Sequence, residues 1–196
     1  MKKLLFLPIV FVLCLIKLNA QQINFSPKQY YITTGTGINY ENGMLGLQLS
    51  TIIKEHFMPF LAIGSGSWGY KVTPGIRYFF SKNLLGAGFG LSYSQVPGVN
   101  SIKQNMELNN GSKTEVEFVY KAINTINISY LNNWHLGKKS NFFTLEVGYS
   151  FSLNSNYKNN YTIKTPNVTL SSTSESVLQL LQPGGLIIGV GFNFGL

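Results

Sequence analysis

The side chains best suited to acid–base chemistry in this chain are two histidines, His56 and His135. A serine hydrolase or acyltransferase needs a histidine within hydrogen-bond reach of a serine and oriented by an acidic residue. Both histidines lie at or beside predicted turns at one end of the predicted strands. The chain has no aspartate to orient either histidine, because its seven acidic residues are all glutamate. The sequence therefore predicts no catalytic site and no enzymatic activity.

The single cysteine, Cys14, lies inside the apolar run from Leu4 to Ile16. It follows Leu13, whereas the modified cysteine of a lipoprotein normally follows a small residue. One cysteine cannot form a disulfide framework or a cysteine-based metal site. We therefore expect no disulfide, no catalytic thiolate, no metal site and no cofactor.

Several charged residues fall within predicted strands, on the face opposite to the large apolar side chains. Their register therefore points them into the interior of the fold. Charges in a low-dielectric interior persist when they are paired and hydrogen-bonded, so we expect internal ion pairs. A narrow channel lined by these charges is the alternative. The residues are Lys71, Arg77, Glu117, Lys121 and Glu146.

Glycines recur on one face of several predicted strands. A glycine loop that binds phosphate leads directly into a helix, and no stretch of this chain has a convincing helical period. We therefore expect the glycines to relieve crowding and to permit strong curvature in a narrow closed sheet. They include Gly35, Gly37, Gly86, Gly88, Gly90, Gly189 and Gly191.

These residues are carried by short segments in which apolar and polar residues alternate. Within 141–154, every second residue from Phe143 to Leu153 is large and apolar, and the residues between them are mostly small or polar. A period of two is typical of β-strands. The pattern predicts eight strands, at residues 30–40, 44–53, 57–66, 70–80, 84–95, 115–132, 141–154 and 182–195.

The connections between the predicted strands differ at the two ends. Both long connections, 96–114 and 155–181, fall at the same end, and the turns at 54–56, 81–83 and 136–140 are short. Barrels of the bacterial outer membrane have an even number of strands, short periplasmic turns and longer extracellular loops. The sequence therefore predicts an all-β chain that folds as an eight-stranded antiparallel up-and-down transmembrane β-barrel.

The composition favours a membrane barrel over a soluble one. Charged residues make up 11% of the chain, against roughly 25% in soluble domains. The polar strand face consists mainly of Gly, Ser, Thr and Asn, which suit a crowded interior better than a solvated exterior. The formal net charge is +8, but the lysines are scattered, so no nucleic-acid partner is expected.

The N-terminus has the order of a secretory signal peptide. Lys2 and Lys3 precede the apolar run, and Leu18-Asn19-Ala20 precede the polar Gln21. The apolar run is shorter than the roughly 20 residues that a spanning helix needs. We predict a signal peptide at 1–20 and an outer-membrane β-barrel domain at 21–196.

From Gln29 to Leu196 the chain resembles the small outer-membrane barrels of the OmpA and OmpX type. The alternating run from Gly189 to Leu196 looks like their terminal strand signal, and the segment Trp68–Phe80 looks like their strand and turn sequences. The resemblance implies a place in the outer membrane of a Gram-negative bacterium. It also implies recognition of the C-terminal strand by the barrel-assembly machinery, although Leu196 replaces the usual terminal aromatic residue.

Five aromatic residues lie near predicted strand ends, where outer-membrane barrels have aromatic girdles at both membrane interfaces. A carbohydrate-stacking role for Trp68 is the alternative. The residues are Trp68, Tyr70, Tyr78, Tyr130 and Trp134.

Together these patterns predict a non-enzymatic outer-membrane protein with a structural role, or a surface-exposed binding role in its two long loops. Those loops have a composition equally typical of binding loops and of mobile ones. The expected partners are outer-membrane lipid, lipopolysaccharide and an extracellular ligand of unspecified chemistry, and the expected state is a monomer. The alternatives are a lipid A acyl hydrolase or acyltransferase of the same fold, and a narrow channel or transporter.

Overall fold

The alternating segments form the wall of a closed barrel in the computed structural model of the chain. The structure describes residues 26–66, 68–137, 139–153 and 160–196. The predicted signal peptide and Cys14 lie outside these ranges.

Eight of the strands form the barrel. They are β1 (Tyr30–Ile38), β2 (Leu45–Thr51), β3 (Phe57–Gly66), β4 (Gly69–Phe79), β5 (Gly86–Val96), β8 (Ile123–Leu136), β9 (Asn141–Ser152) and β11 (Gly185–Gly195). Each pairs antiparallel with its neighbours in the order β1-β11-β9-β8-β5-β4-β3-β2, and β1 closes the ring on β11 from Tyr31↔Gly195 to Ile38↔Ile188. The predicted eight-stranded antiparallel up-and-down barrel is confirmed.

The remaining elements form a small module at one end of the barrel, which we call the cap. The cap consists of β6 (Val99–Glu107), β7 (Lys113–Tyr120), β10 (Tyr161–Ile163) and helix α1 (Ser172–Leu181). Its three strands form an antiparallel sheet in the order β10-β7-β6. The two long connections predicted as loops therefore contain regular structure and meet in one module.

The predicted strand at 115–132 is wrong as a single strand. Its first part is β7 of the cap, and the barrel strand β8 begins only at Ile123 and continues to Leu136. Alternation runs through the break because Val116, Phe118 and Tyr120 bury their side chains in the cap. Two strands that alternate in phase, one in the cap and one in the barrel, therefore look like a single strand in the sequence.

The expectation that no segment is helical is also wrong. Helix α1 begins after Ser171, whose hydroxyl accepts a hydrogen bond from the Ser174 backbone N–H at 3.2 Å, and Glu175 lies in its first turn. Both features stabilise a helix N-terminus. Only Ser174 and Leu178 are buried, so the helix has no long apolar stripe that a period of 3.6 would reveal.

The side-chain distribution of the barrel is inverted relative to a soluble protein. Large apolar residues of the strands point outward; Leu47 and Leu49, for example, are 60% and 61% exposed. The inward face carries buried Thr, Ser, Asn, Gln and charged side chains. Apolar clusters instead lie inside the cap and inside the end of the barrel opposite to it.

The cap core generates a prediction about local stability. Phe118 is fully buried in this core, so Phe118→Ala should destabilise the cap by about 3–5 kcal/mol. Hydrogen exchange of the folded protein should then be faster in β6, β7 and α1 but unchanged in the barrel strands beyond Val96 and Ile123, the ends of β5 and β8 that share the cap core. Val119→Ala, on the opposite face of β7, is the matched control. Equal acceleration in the barrel would contradict an independent cap core.

Candidate functional site

The connection between β1 and β2 folds into the barrel. Tyr40, Glu41 and Asn42 are all buried, and Lys71 Nζ donates to the carbonyl oxygens of Asn39 at 3.0 Å and Tyr40 at 2.9 Å. A turn that would otherwise be exposed at the barrel rim thus occupies the outer part of the lumen. We call residues 39–44 the inward turn.

Glycines of β1 and β11 leave the space that the Tyr40 ring fills. A Cβ atom added at Gly35 would lie 2.6 Å from Tyr40 Cε1, and one at Gly191 would lie 2.5 Å from its hydroxyl oxygen. A Cβ at Gly189 would overlap the same ring. The predicted role of these glycines, relief of crowding, agrees with this packing.

The inward turn delivers Glu41 to a buried charge cluster. Arg77 Nη2 lies 2.6 Å from Glu41 Oε2 and 3.1 Å from Glu146 Oε2, and the guanidinium carbon lies 4.9 Å from the centre of the Phe60 ring. All three charged side chains are buried. With Lys71 nearby, two cations and two carboxylates neutralise each other inside the lumen.

Of the five charged residues predicted to face the barrel interior, three do and two do not. Lys71, Arg77 and Glu146 face the lumen, as predicted. Glu117 and Lys121 do not: Glu117 lies on the cap sheet, and Lys121 is exposed between β7 and β8. Both residues were predicted to lie in one barrel strand, but Glu117 belongs to β7 and Lys121 precedes β8. Glu41 was not predicted to lie in the lumen, because it enters from a turn.

Neutral polar side chains fill the lumen between the strands. Asn127 donates to the Ser92 hydroxyl at 3.0 Å and the Ser94 hydroxyl at 2.8 Å, and it accepts from Ser150 at 2.6 Å. Thr144 and Asn193 belong to a second such network. Buried polar groups are tolerated when hydrogen-bonded, so these contacts stabilise the parts of the interior around Asn127 and Asn193.

The lumen is closed at the end opposite to the cap. Tyr31, Met58, Phe79, Leu84, Leu131 and Phe142 form a buried apolar cluster there. The rings of Tyr31 and Phe142 meet edge to face with centroids 5.1 Å apart. Side chains therefore obstruct a water path through this end of the barrel.

A cavity of about 440 Å³ lies at the other end, between the inward turn and the cap. Its lining is mainly apolar and includes Tyr40, Lys71, Trp68 and Leu181. The volume falls within the roughly 300–1,000 Å³ range of small-molecule sites.

The histidines lie at the end opposite to the cap, as predicted, and contact backbone. His56 Nδ1 lies 2.7 Å from the Phe79 carbonyl oxygen, and His135 Nε2 lies 2.8 Å from that of Lys139. Within the described ranges, no group of three or more His, Cys, Asp or Glu residues could hold a metal ion. The same ranges contain no helix long and apolar enough to cross a membrane.

The aromatic girdle prediction is wrong for Trp68. Its ring is buried in the cap core and stacks on Tyr120 with ring centroids 3.9 Å apart, which also removes the carbohydrate-stacking alternative. Tyr70, Tyr78 and Tyr130 are exposed on the outer surface, as a girdle requires. Trp134 is half-buried and packs on Phe143.

The outward face of the cap sheet carries alternating charges. Lys103 pairs with Glu115 at 3.0 Å, and Glu117 accepts from the Ser101 hydroxyl at 2.8 Å and lies 3.5 Å from Lys164 Nζ. The hydrogen bond to Glu115 raises the pKa of Lys103, and the one from Ser101 lowers the pKa of Glu117. This face is polar, ordered and solvated.

Similarity to known proteins is limited to solved structures. No family model and no curated protein matches the chain. Among solved structures, the N-terminal β-barrel domain of Pseudomonas aeruginosa OprF is similar, with 13% sequence identity, a TM-score of 0.46, and coverage of 86% of this chain and 100% of that domain. The closed ring of eight antiparallel strands itself shows that the fold is an eight-stranded up-and-down β-barrel.

The charge cluster generates a prediction about stability. Arg77→Met leaves Glu41 and Glu146 buried without their shared cation, so it should destabilise the folded barrel by about 3–5 kcal/mol. Urea titration of the protein in lipid vesicles measures this change. The control is Lys82→Met, which removes the exposed pair with Glu55 and should cost much less. Equal losses in both variants would contradict a structural role for the cluster.

Tyr120 generates a prediction about alkaline pH. Burial raises its pKa to about 12 from 10.0. Above the unfolded pKa the unfolded cap loses this proton more readily than the folded cap, so cap stability should fall as pH rises from about 10 to about 12. Hydrogen exchange of β6 and β7 across this range measures the effect.

Tyr120→Phe should remove most of that dependence, whereas Tyr70→Phe, at an exposed tyrosine of the barrel wall, should leave it intact. An unchanged alkaline dependence in Tyr120→Phe would contradict the assignment.

Proposed function

We propose that this chain is an integral protein of the outer membrane, without enzymatic activity, that holds its cap at the cell surface as a binding module. The single observation that carries this proposal is the inverted barrel. Its wall exposes rows of large apolar side chains, while its charged residues pair inside.

The outer wall supports the membrane placement. Exposed apolar residues continue from strand to strand around the barrel, including Leu47, Leu61, Phe89, Ile128 and Ile188. Monomeric soluble proteins rarely expose contiguous apolar patches larger than a few hundred Å². Seven of the eight barrel strands have nine or more residues, about the length that a tilted strand needs to cross a membrane.

The two ends of the barrel support an orientation with the cap outside. The cap joins the barrel through the long connections β5 to β8 and β9 to β11, whereas short turns join the strands at the other end. Outer-membrane barrels place their longer connections outside the cell.

The side chains that fill the lumen argue against a channel. The apolar cluster around Phe79 closes one end, and the inward turn and its charge cluster occupy the middle. A barrel of eight strands leaves an interior that side chains fill. The narrow channel or transporter is therefore the less favoured function.

The positions of the histidines support a role other than a lipid A hydrolase or acyltransferase. Such an enzyme needs its histidine near the outer leaflet, beside a serine and an acidic residue. His56 and His135 lie at the opposite end and contact backbone carbonyl oxygens.

The cap supplies a rigid surface for binding. Its sheet has an apolar core on one face and paired charges on the other, so it presents Lys103, Glu115, Glu117 and Lys164 together on one surface. We propose that an extracellular partner contacts this face and that the barrel contacts lipid and lipopolysaccharide as a monomer. We also propose that β11, with Phe192 and Phe194, is read by the barrel-assembly machinery during insertion.

The test is expression with the native N-terminus in a Gram-negative host, followed by envelope fractionation. The protein should be in the outer membrane, with a gel mobility that changes on heating. Protease added to intact cells should cleave Phe118→Ala within the cap and should spare the wild type.

Recovery in the soluble periplasmic fraction would overturn the membrane placement. If protease added to intact cells cleaved the short turns of the barrel instead of the cap, the proposed orientation with the cap outside would be wrong.

A further inference from the structure

We propose that the cavity beneath the cap binds a single hydrocarbon chain that carries an anionic head group, with the head at Lys71. This inference rests on the proposed membrane placement, which brings the cavity close to such molecules, and it gives the binding role a second site distinct from the outer face of the cap.

The shape of the cavity favours a chain that enters from the side. Tyr40 and Gly189 line it from within the lumen, whereas Ile38 and Met44, which also line it, are exposed at the barrel rim. The cavity is lined both by lumen residues and by rim residues because the inward turn leaves no outward loop between β1 and β2 to separate them. The cavity therefore extends from the lumen to the rim.

The roof of the cavity comes from the last turn of α1 and the residues after it. Leu180, Leu181 and Pro183 line the cavity, and Trp68 and Val96 line it from the ends of β4 and β5. These side chains bind by burial of apolar surface, which has no directional requirement and suits a flexible hydrocarbon chain.

Lys71 supplies the polar end of the site. Its side chain is in the cavity lining yet only 8% exposed, and its two hydrogen bonds go to neutral carbonyl oxygens. Within the described residues, no carboxylate lies within ion-pair distance of its ammonium group, in contrast to Arg77 with two. An anionic head group would give this buried ammonium a direct ion-pair partner, in addition to its longer-range attraction to Glu41 and Glu146.

The chain has two tryptophans, which makes a sharp experiment possible. Trp134→Phe leaves Trp68, in the cavity lining, as the reporter, and Trp68→Phe leaves Trp134 on the barrel wall as its control. The folded protein, checked by its heat-dependent gel mobility, is placed in vesicles and titrated with mid-chain brominated fatty acids of increasing length. Bromine quenches indole fluorescence on contact.

We expect saturable quenching of Trp68 at concentrations that leave Trp134 little affected, and an affinity that rises about fourfold per added methylene until the cavity is full. Vesicles of brominated phosphatidylglycerol distinguish the source of the chain. Quenching of Trp68 by these vesicles alone assigns a membrane lipid, and quenching only after addition of fatty acid assigns a free amphiphile. Absence of selective Trp68 quenching in both experiments would overturn the proposal.

Two substitutions and one ligand change test the assigned contacts. Leu180→Arg places a charge on the cavity lining and should weaken binding at least tenfold. Val177→Arg, on the same helix but outside the lining, should not. Lys71→Met should remove the preference for a fatty acid over the brominated alcohol of equal length, whereas Lys82→Met, at an exposed lysine at the end opposite to the cap, should keep it. Equal affinity of acid and alcohol for the unsubstituted site would overturn the role of Lys71.

Discussion

The neutralisation of Arg77 inside the barrel is the interaction on which the rest of the lumen depends. Because the outer face of the wall is apolar, its polar side chains lie in the interior, and a buried guanidinium there needs carboxylates within a few ångströms. Glu146 reaches it from β9, but Glu41 reaches it only because the turn after β1 folds inward. The inward turn fits only because glycines of β1 and β11 leave space for the Tyr40 ring. Because this turn folds inward, no loop projects from the rim between β1 and β2.

The barrel and the cap solve the problem of burial in opposite ways. The barrel strands turn their apolar side chains outward and fill their interior with hydrogen-bonded polar groups such as Asn127 and Thr144. The cap buries its apolar side chains in an ordinary core and exposes its charges. One chain therefore carries two cores of opposite polarity, which is consistent with two surroundings, a membrane for the wall and water for the cap.

The sequence predicted the barrel well because the period of two is strong where large apolar residues on one strand face alternate with small or polar residues on the other. Lys71, Arg77 and Glu146 were placed correctly because each belongs to such a strand. Glu41 was missed because register says nothing about a turn, although a glutamate and a tyrosine beside glycine-rich strand faces are a usable signal. Glu117 was misplaced because β7 and β8 alternate in the same way across a two-residue break. Helix α1 was missed because it buries little more than Leu178.

The inward turn connects the stability of the barrel to its binding capacity. Because Tyr40, Glu41 and Asn42 of the inward turn are buried in the lumen, the middle of the barrel is filled and a through-channel is obstructed. The same inward folding leaves no loop on the rim between β1 and β2. The cap lies over this part of the rim without filling the space beneath it, and that space is the cavity lined by Lys71 and Leu181. Lys71 holds the inward turn in place through the carbonyl groups of Asn39 and Tyr40. Within the described residues it is also the one cation in the cavity lining. In this fold a closed lumen and an open outer pocket are therefore two consequences of one turn.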